Sequence, residues 1–447
     1  MNKKIIIFYR RTSIMKKSWK KVALVAAGML TIVSLAACGK SSSGAKSVDA
    51  SANLDKKQTI TVWTFTELKP QIQELKKLKP NITIKEVVLP YANFQTKLDQ
   101  VIGTSKGPDM IALDAGFVEK YVQSGKMTDL APYGVDKAAK DNFQYTLDMG
   151  KDAKGKQVAV SYQAAPGAMY VNTNVFQKDL GIKADDTDAI QNAMSSWDQI
   201  KKTAETIKEK SGGKDYLFSS LEEIYNPVIG ARKDGWVVNN KLKIDQTMLD
   251  SLDLMKDFVS NKWTQNTSAQ SGDWFTGMST NTIGSYALPS WGLMYWLKDN
   301  AKSTSGAWRV TAGPVSYSWG GTWLGGVKGS ENEKGAAALS VFMSTDKTFQ
   351  TWEAKSQGDF VAVKSVNNEV GKNASIPTLG GQNPYPIFSK VAENINGKNQ
   401  TQYDQNMASL WINDVVNPYA NGKISKEKAL KHFKDDVKSA YPNVTVD

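Results

Sequence analysis

Asp109-Met110-Ile111-Ala112-Leu113, closed by Asp114, is the stretch on which the fold turns. It reads as a short buried strand, and Phe117 to Gln123 behind it as a helix ended by Gly125. Upstream, Thr59-Ile60-Thr61-Val62-Trp63-Thr64-Phe65 is β-branched and aromatic, the composition of a strand. Pro70 can start a helix whose Ile72, Leu75 and Leu78 lie near one face, and Pro80 stops it. Ile82-Thr83-Ile84-Lys85-Glu86-Val87-Val88 is a second strand, and residues 94–102 read as helical. Strand and helix alternate three times up to Gly125. That alternation predicts an α/β unit with a mostly parallel sheet covered on both sides.

The pattern then changes. Residues 156–162 and 168–172 are strand-like and split by Pro166-Gly167. Ser196-Trp197-Asp198-Gln199 fits a capping box opening a helix to about Lys208, with Gly212-Gly213 at its exit. Residues 215–300 mix helix with aromatic loops. Residues 320–327 form a glycine-rich crossing, 335–343 a helix, 365–385 a loop-rich stretch and 426–441 a last helix. No internal repeat is visible.

Upstream of the first strand, Val22 to Ala37 is an apolar run of sixteen residues behind Lys16, Lys17, Lys20 and Lys21. It leads into Leu35-Ala36-Ala37-Cys38-Gly39 and then a small, polar tract to about Gln58. A basic start, a short apolar core and a small-residue exit form an export signal, here residues 1–37. The run falls short of the roughly 20 residues that span hydrocarbon. A chain starting at Met15 would already carry the complete signal. Cys38 is the only cysteine and sits at the cut, where its thiol can form a thioether to a lipid. Residues 38–58 then read as a lipidated end and a solvated tether. The expected location is the outer face of the cytoplasmic membrane.

Cleavage before Cys38 would leave 410 residues, more than one domain usually holds, so two lobes are the default. The chain's charge of +12 is largely a targeting effect: residues 1–37 hold eight basic and no acidic side chains, which leaves +4. This does not support a nucleic-acid partner, which needs a concentrated basic face.

The side chains available for a site are mostly aromatic. Trp63, Phe65, Tyr162, Trp236, Trp274, Trp291, Trp319 and Trp323 fall in or beside loops or strand ends. An indole offers a broad apolar face and one N–H donor, which match the C–H face and hydroxyl rim of a pyranose. The same residues serve equally for core packing. Asp114 and Glu67 each follow a strand, where ligands of open α/β sheets sit; a helix cap and a surface carboxylate are their ordinary alternatives. Glycines 320, 321, 325 and 326 lack the Gly-Lys-Ser/Thr that completes a phosphate loop. They fit a hinge or pocket wall, with Trp323 set beside the cleft. His432 is the only histidine, so neither a histidine zinc site nor a His-based nucleophile is available. No cofactor, metal or catalytic residue is expected. A glycosidase needs only two carboxylates, and an extracellular glycan-acting enzyme stays open as an alternative.

Leu-Ala-Ala-Cys resembles the lipobox of bacterial lipoproteins, which implies diacylglyceryl transfer to Cys38. Residues 107–114 with Phe117-Val118-Glu119-Lys120-Tyr121 resemble the first-lobe signature of extracellular solute-binding proteins of carbohydrate ABC importers, the maltose and multiple-sugar-binding group. Residues 167–176 resemble that family's crossing strand and following helix, and Ile283-Gly284-Ser285-Tyr286 its second-lobe pocket segment, where an aromatic commonly stacks on sugar. The resemblance covers nearly all of 59–443. It implies a two-lobed, periplasmic-binding-protein-like α/β fold of type II. Lobe one would take 59–162 plus 319–362 and lobe two 167–314 plus 370–447. By the family pattern Asp114, Gln163, Tyr286 and Tyr385 fall near the pocket. Trp63, Glu67, Trp236, Trp274, Trp291 and Trp323 complete the candidate ligand set. The implied partners are a mono- or oligosaccharide and an ABC permease, with the chain a monomer held to the membrane through Cys38; a peptide or other polar solute is the alternative ligand. Maltodextrin-binding members often carry an acidic residue where this chain has Gln163, and an Asp-Arg pair where it has Asp114-Ala115. Those departures argue against maltose.

Overall fold

The computed structural model describes residues 53–447, so the export signal, Cys38 and the tether up to residue 52 lie outside the described residues. Leu54, expected in the tether, is buried in the first lobe's core, and Gln58 already opens the first strand.

The elements run β1 (Gln58–Thr64), α1 (Lys69–Leu78), β2 (Ile82–Val88), α2 (Tyr91–Val101), β3 (Met110–Asp114), β4 (Val160–Ser161) and β5 (Gly167–Asn172). Then come α3 (Trp197–Lys210), β6 (Tyr216–Phe218), α4 (Glu222–Gly230), β7 (Ile283–Pro289) and β8 (Trp308–Thr311). The chain returns through β9 (Thr322–Gly326), α5 (Glu333–Thr345) and α6 (Lys347–Trp352) and ends with α7 (Tyr385–Glu393) and α8 (Lys426–Ala440). Local chemistry explains the helix ends. Pro70 sits in the first turn of α1, and Lys76 and Lys77 lie in its last turn, at the negative end of the helix dipole. The Ser196 hydroxyl caps α3 by accepting the Gln199 backbone N–H at 3.1 Å.

Two mixed sheets result. The first has the order β2-β1-β3-β9-β4 and the second β8-β5-β7-β6. β1 is parallel to β2 and β3, whereas β9 is antiparallel to β3 and β4. β5 is antiparallel to β7 and β8, and only β6 joins β7 in parallel. The parallel run expected from the sequence is thus confined to β2-β1-β3, and the glycine-rich 320–327 stretch is largely a strand inside the first sheet. The reason is connectivity. β5 and β9 each enter their sheet from the other lobe, so they run against strands that arrive from within their own lobe. Lys364–Gly371 is also helical where a loop was expected.

Three segments, 162–167, 317–322 and 360–363, cross between the sheets and bond to one another. Ala164 N–H donates to the Phe360 carbonyl, Gly167 N–H to Tyr317 and Trp319 N–H to Ala165, all within 2.8–3.0 Å. They form the hinge. Because β9 and β5 start at the hinge, the strands antiparallel to them end there. The carboxyl ends of β1, β2, β3, β6 and β7 therefore all face the junction of the two lobes.

Each sheet is covered on both faces. Along β3, Met110 and Ala112 join the outer first-lobe core with α1 and α5, while Ile111 and Leu113 face Phe94, Phe117 and Tyr121. This second core continues past Phe360 and Phe388 to Tyr170, Trp274, Tyr286 and Trp308 in the other lobe. Met169, Val171 and Ala287 point the opposite way, into a core shared with α3, α8 and Trp236.

Candidate functional site: the inter-lobe junction

The first lobe contributes the residues just beyond β1, β2 and β3. Asp114 is half-buried. Its Oδ1 accepts the Tyr91 hydroxyl at 3.0 Å and the Gly116 N–H at 2.8 Å. Burial raises its pKa, and those bonds pull the other way. The Gly116 bond is the local turn that the capping alternative anticipated. Trp63 is half-buried on β1 against the inner core, and Glu67 is exposed in the loop that follows. Gln163 lies in the first hinge segment, bridged to Val361, and its Nε2 donates to Asp359 Oδ2 at 2.6 Å.

The second lobe contributes the residues beyond β6 and β7. Glu223 is fully buried. Its carboxylate accepts the Ser220 N–H at 2.9 Å, the Ser220 hydroxyl at 2.7 Å and the Trp274 indole N–H at 3.0 Å. Glu222 beside it accepts a long bond from Asn226 at 3.2 Å and also interacts with the Tyr225 side chain, while its Oε2 is buried with no donor among the described residues. Burial, then the neighbouring Glu223 charge, pushes Glu222 up to about 8; burial pushes Glu223 up to about 7. At neutral pH Glu222 is therefore mainly a neutral acid that can donate as well as accept. The Tyr317 ring packs so tightly on Gly167 that a β-carbon there would sit 2.1 Å from it, and its hydroxyl is buried without a partner.

Beyond β7, Trp291 is half-buried and donates its indole N–H to the Trp319 carbonyl at 2.9 Å. Trp291, Trp296 and Trp319 form one cluster with ring centroids 4.5–6.3 Å apart. Gly320, at φ +75°, lies under the Trp291 ring, where a β-carbon would come within 3.0 Å of Nε1. The glycine-rich crossing lies between two indoles: Trp291 from the other lobe packs on Gly320 and keeps accessible surface, whereas Trp323 packs on Gly321 and is buried. Tyr385, half-buried at the start of α7, packs on Phe360 at 5.8 Å and lines a cavity of about 340 Å³ with Ser290, Met294, Gly358 and Ser375.

Four expected ligand residues are corrected. Trp236 is fully buried between Trp411, Phe433 and the Arg232 guanidinium, in the outer core of the second lobe. Trp274 is fully buried with its N–H taken by Glu223. Tyr286 is fully buried and donates its hydroxyl to the Trp274 carbonyl at 2.9 Å. Trp323, on β9, is buried and donates to the Thr146 carbonyl at 2.8 Å. Trp274, Tyr286 and Trp323 have their polar atoms satisfied inside the protein and their faces packed; Trp236 keeps an N–H with no partner among the described residues, but packing on all sides leaves its ring nothing to offer a solute. Trp63, Glu67, Asp114, Gln163, Trp291 and Tyr385 keep accessible surface at or near the hinge side. Sequence reasoning missed Glu222, Glu223, Trp296 and Tyr317. The signal for the glutamates was Glu222-Glu223 a few residues after Tyr216-Leu217-Phe218, a strand too short to stand out in the aromatic-rich 215–300 stretch. Among the described residues no group of three or more His, Cys, Asp or Glu could hold a metal, and no helix is long and apolar enough to cross a membrane.

Two lobes, three hinge crossings and strand ends converging on one junction define a two-lobed, periplasmic-binding-protein-like α/β fold. The solved structures agree in fold. An extracellular solute-binding protein of family 1 superposes with a TM-score of 0.74 at 20% identity, over 86% of this chain and 99% of that one. The ABC-transporter-associated binding protein of B. animalis subsp. lactis Bl-04, solved with beta-1,6-galactobiose, gives 0.66 at 19%, over 88% and 100%. An ABC substrate-binding protein from Listeria monocytogenes, solved with cycloalternan, gives 0.67 at 18%, over 87% and 100%. The family model described as bacterial extracellular solute-binding protein matches residues 63–348, and the chain belongs to that family. It is a binding component of transport and not an enzyme.

Proposed function

We propose that this chain is the lipid-anchored receptor of a carbohydrate ABC importer, taking an oligosaccharide at the inter-lobe junction and handing it to a permease. One observation carries the sugar reading: Trp291 and Trp296, beyond the carboxyl end of β7, cluster with Trp319 of the opposite crossing, with Trp291 packed on Gly320. Flat apolar rings serve the C–H face of a pyranose. Asp114, Gln163 and Glu222 supply acceptors and donors for its hydroxyls, with Trp63, Glu67 and Tyr385 at the rim. The lobe limits we assign are 59–162 plus 319–362 and 167–314 plus 370–447. Closure about the hinge excludes water and builds the surface that a permease reads. Solved relatives with beta-1,6-galactobiose or cycloalternan bound fit the same class of ligand.

The test is a thermal-shift screen of residues 50–447 against a glycan panel, with a peptide panel alongside. A glycan at a hundredfold excess over its Kd adds about 2.7 kcal/mol of apparent stability. A shift with peptides and none with glycans overturns the sugar reading. Release of reducing ends overturns the binding-only reading. For the anchor, Cys38→Ser should move the protein from the membrane fraction to the medium with unchanged ligand affinity; retention would refute lipid attachment at that residue.

A further inference from the structure

Glu353 and Asp359 lie beside the third hinge segment, and neither has an ion-pair partner among the described residues. Glu353 opens the wide helical turn Glu353–Gln357 that follows α6, and Asp359 directly precedes Phe360. Both are at most 2% exposed. Gln71 of α1 donates its amide N–H to Glu353 Oε1 at 2.8 Å, and Gln163 of the first hinge segment donates to Asp359 Oδ2 at 2.6 Å. The remaining oxygens, Glu353 Oε2 and Asp359 Oδ1, are buried and meet no donor among the described residues. The two carboxyls interact directly with each other. Two fully charged carboxylates in that setting would repel in a low dielectric, and two neutral acids would lack an acceptor. One proton between the two free oxygens satisfies both.

We propose that Glu353 and Asp359 share a single proton, and that the loaded pair is a latch joining α1 to the first and third hinge segments, so that proton loss loosens the hinge. The chain of contacts is Gln71, Glu353, the proton, Asp359, Gln163. Its last member is bridged to Val361, so the latch ends on two of the three crossings. It also fixes Gln163, turning the nitrogen end of that amide away from any solute. The other groups facing the pair are phenols: Tyr162 at the end of β4, Tyr295 after β7 and Tyr385 on α7. Lys355, two residues along the same turn, is exposed to solvent. Burial first, then the neighbouring carboxyl's charge, pushes Glu353 up to about 9, and burial raises Asp359 as well. A carboxyl whose pKa is higher folded than unfolded stabilises the fold fully below its unfolded value. That contribution fades as pH rises through the folded one.

Amide substitutions isolate the shared proton. In Glu353→Gln, the amide oxygen can accept from Gln71 and the amide N–H can take the proton's place towards Asp359. Asp359→Asn does the same from the other side. The double variant sets two amides face to face with no proton to share. In ligand-free full-length protein, urea midpoints and inter-lobe distances from paired spin labels are measured from pH 6 to pH 10. The parent should lose stability progressively from pH 6 to about 9, and broaden towards open distances in the upper half of the range, where the folded pair itself loses its proton. Either single amide should keep the parent's low-pH midpoint and abolish at least half of its alkaline loss and broadening. The double variant should be less stable than the two singles predict by addition. Parental pH dependence in both singles, or a strictly additive double variant, overturns the shared proton. A pH-dependent midpoint with an unchanging distance distribution overturns the latch and leaves only a stabilising pair. None of these readings needs a ligand, so they stand apart from the sugar proposal, on which only the role of Gln163 in the cleft depends.

Discussion

Tyr286→Ala distinguishes packing from ligand stacking most sharply. The Tyr286 ring is fully buried, edge-on to Trp274 at 5.1 Å and 5.9 Å from Trp308. Its hydroxyl donates to the Trp274 carbonyl at 2.9 Å. Truncating an aromatic side chain in such a core costs about 3–5 kcal/mol, and orphaning a buried carbonyl about 1–3 kcal/mol, with some overlap between the two. A loss of about 4 kcal/mol is expected. Tyr286→Phe isolates the hydroxyl and should cost about 1–2 kcal/mol, with the ring contacts intact. The assay is urea unfolding of the ligand-free protein followed by circular dichroism, comparing midpoints at equal slope. A Tyr286→Ala protein with the parent's midpoint and tenfold weaker sugar binding would refute this reasoning and restore the ring to the pocket.

The same logic assigns the opposite behaviour to Trp291. Trp291→Ala should weaken sugar binding at least tenfold in calorimetry while shifting the urea midpoint far less than Tyr286→Ala, because its ring is only half-buried. Equal affinity would remove it from the site. Glu222, held up at about 8, should contribute stability that is complete below about pH 4.5 and lost as pH rises through 8. Glu222→Gln should flatten that part of the urea-midpoint profile between pH 6 and 9; an unchanged profile would show that the carboxyl is not titrating there.

The β-α alternation of residues 59–125 was legible because period-two and helical patterns differ over whole segments, and Pro70, Pro80 and Gly125 mark the ends. The capping box at Ser196 was legible for the same local reason. What was not legible was the sense of the strands. Thr322–Gly326 carries no mark of running against β3, since direction follows from where a segment enters its sheet, and three passages through the hinge are non-local facts. β6 is three residues long, and a strand that short leaves no periodicity at all.

The tryptophans show the deeper limit. Trp236, Trp274, Trp291 and Trp323 look alike in sequence, since each follows or interrupts a loop-like stretch. What separates them is where the indole N–H goes and what covers the faces. Trp274 gives its N–H to a buried carboxylate and Trp323 to a carbonyl of the inner core. Trp236 is walled in by Arg232, Trp411 and Phe433. Trp291 also has an internal acceptor, but that acceptor lies on the hinge crossing from Tyr317 towards β9, and the ring keeps accessible surface. An indole can therefore be given a ligand role only after the hinge is located, because the hinge decides which strand ends meet across the lobes. By that criterion the acidic residues rank with the aromatics. Glu222 and Asp114 stand at strand ends of opposite lobes, each held above the usual carboxylate range by burial. A hydroxyl-rich solute between them would replace the solvation that folding removed.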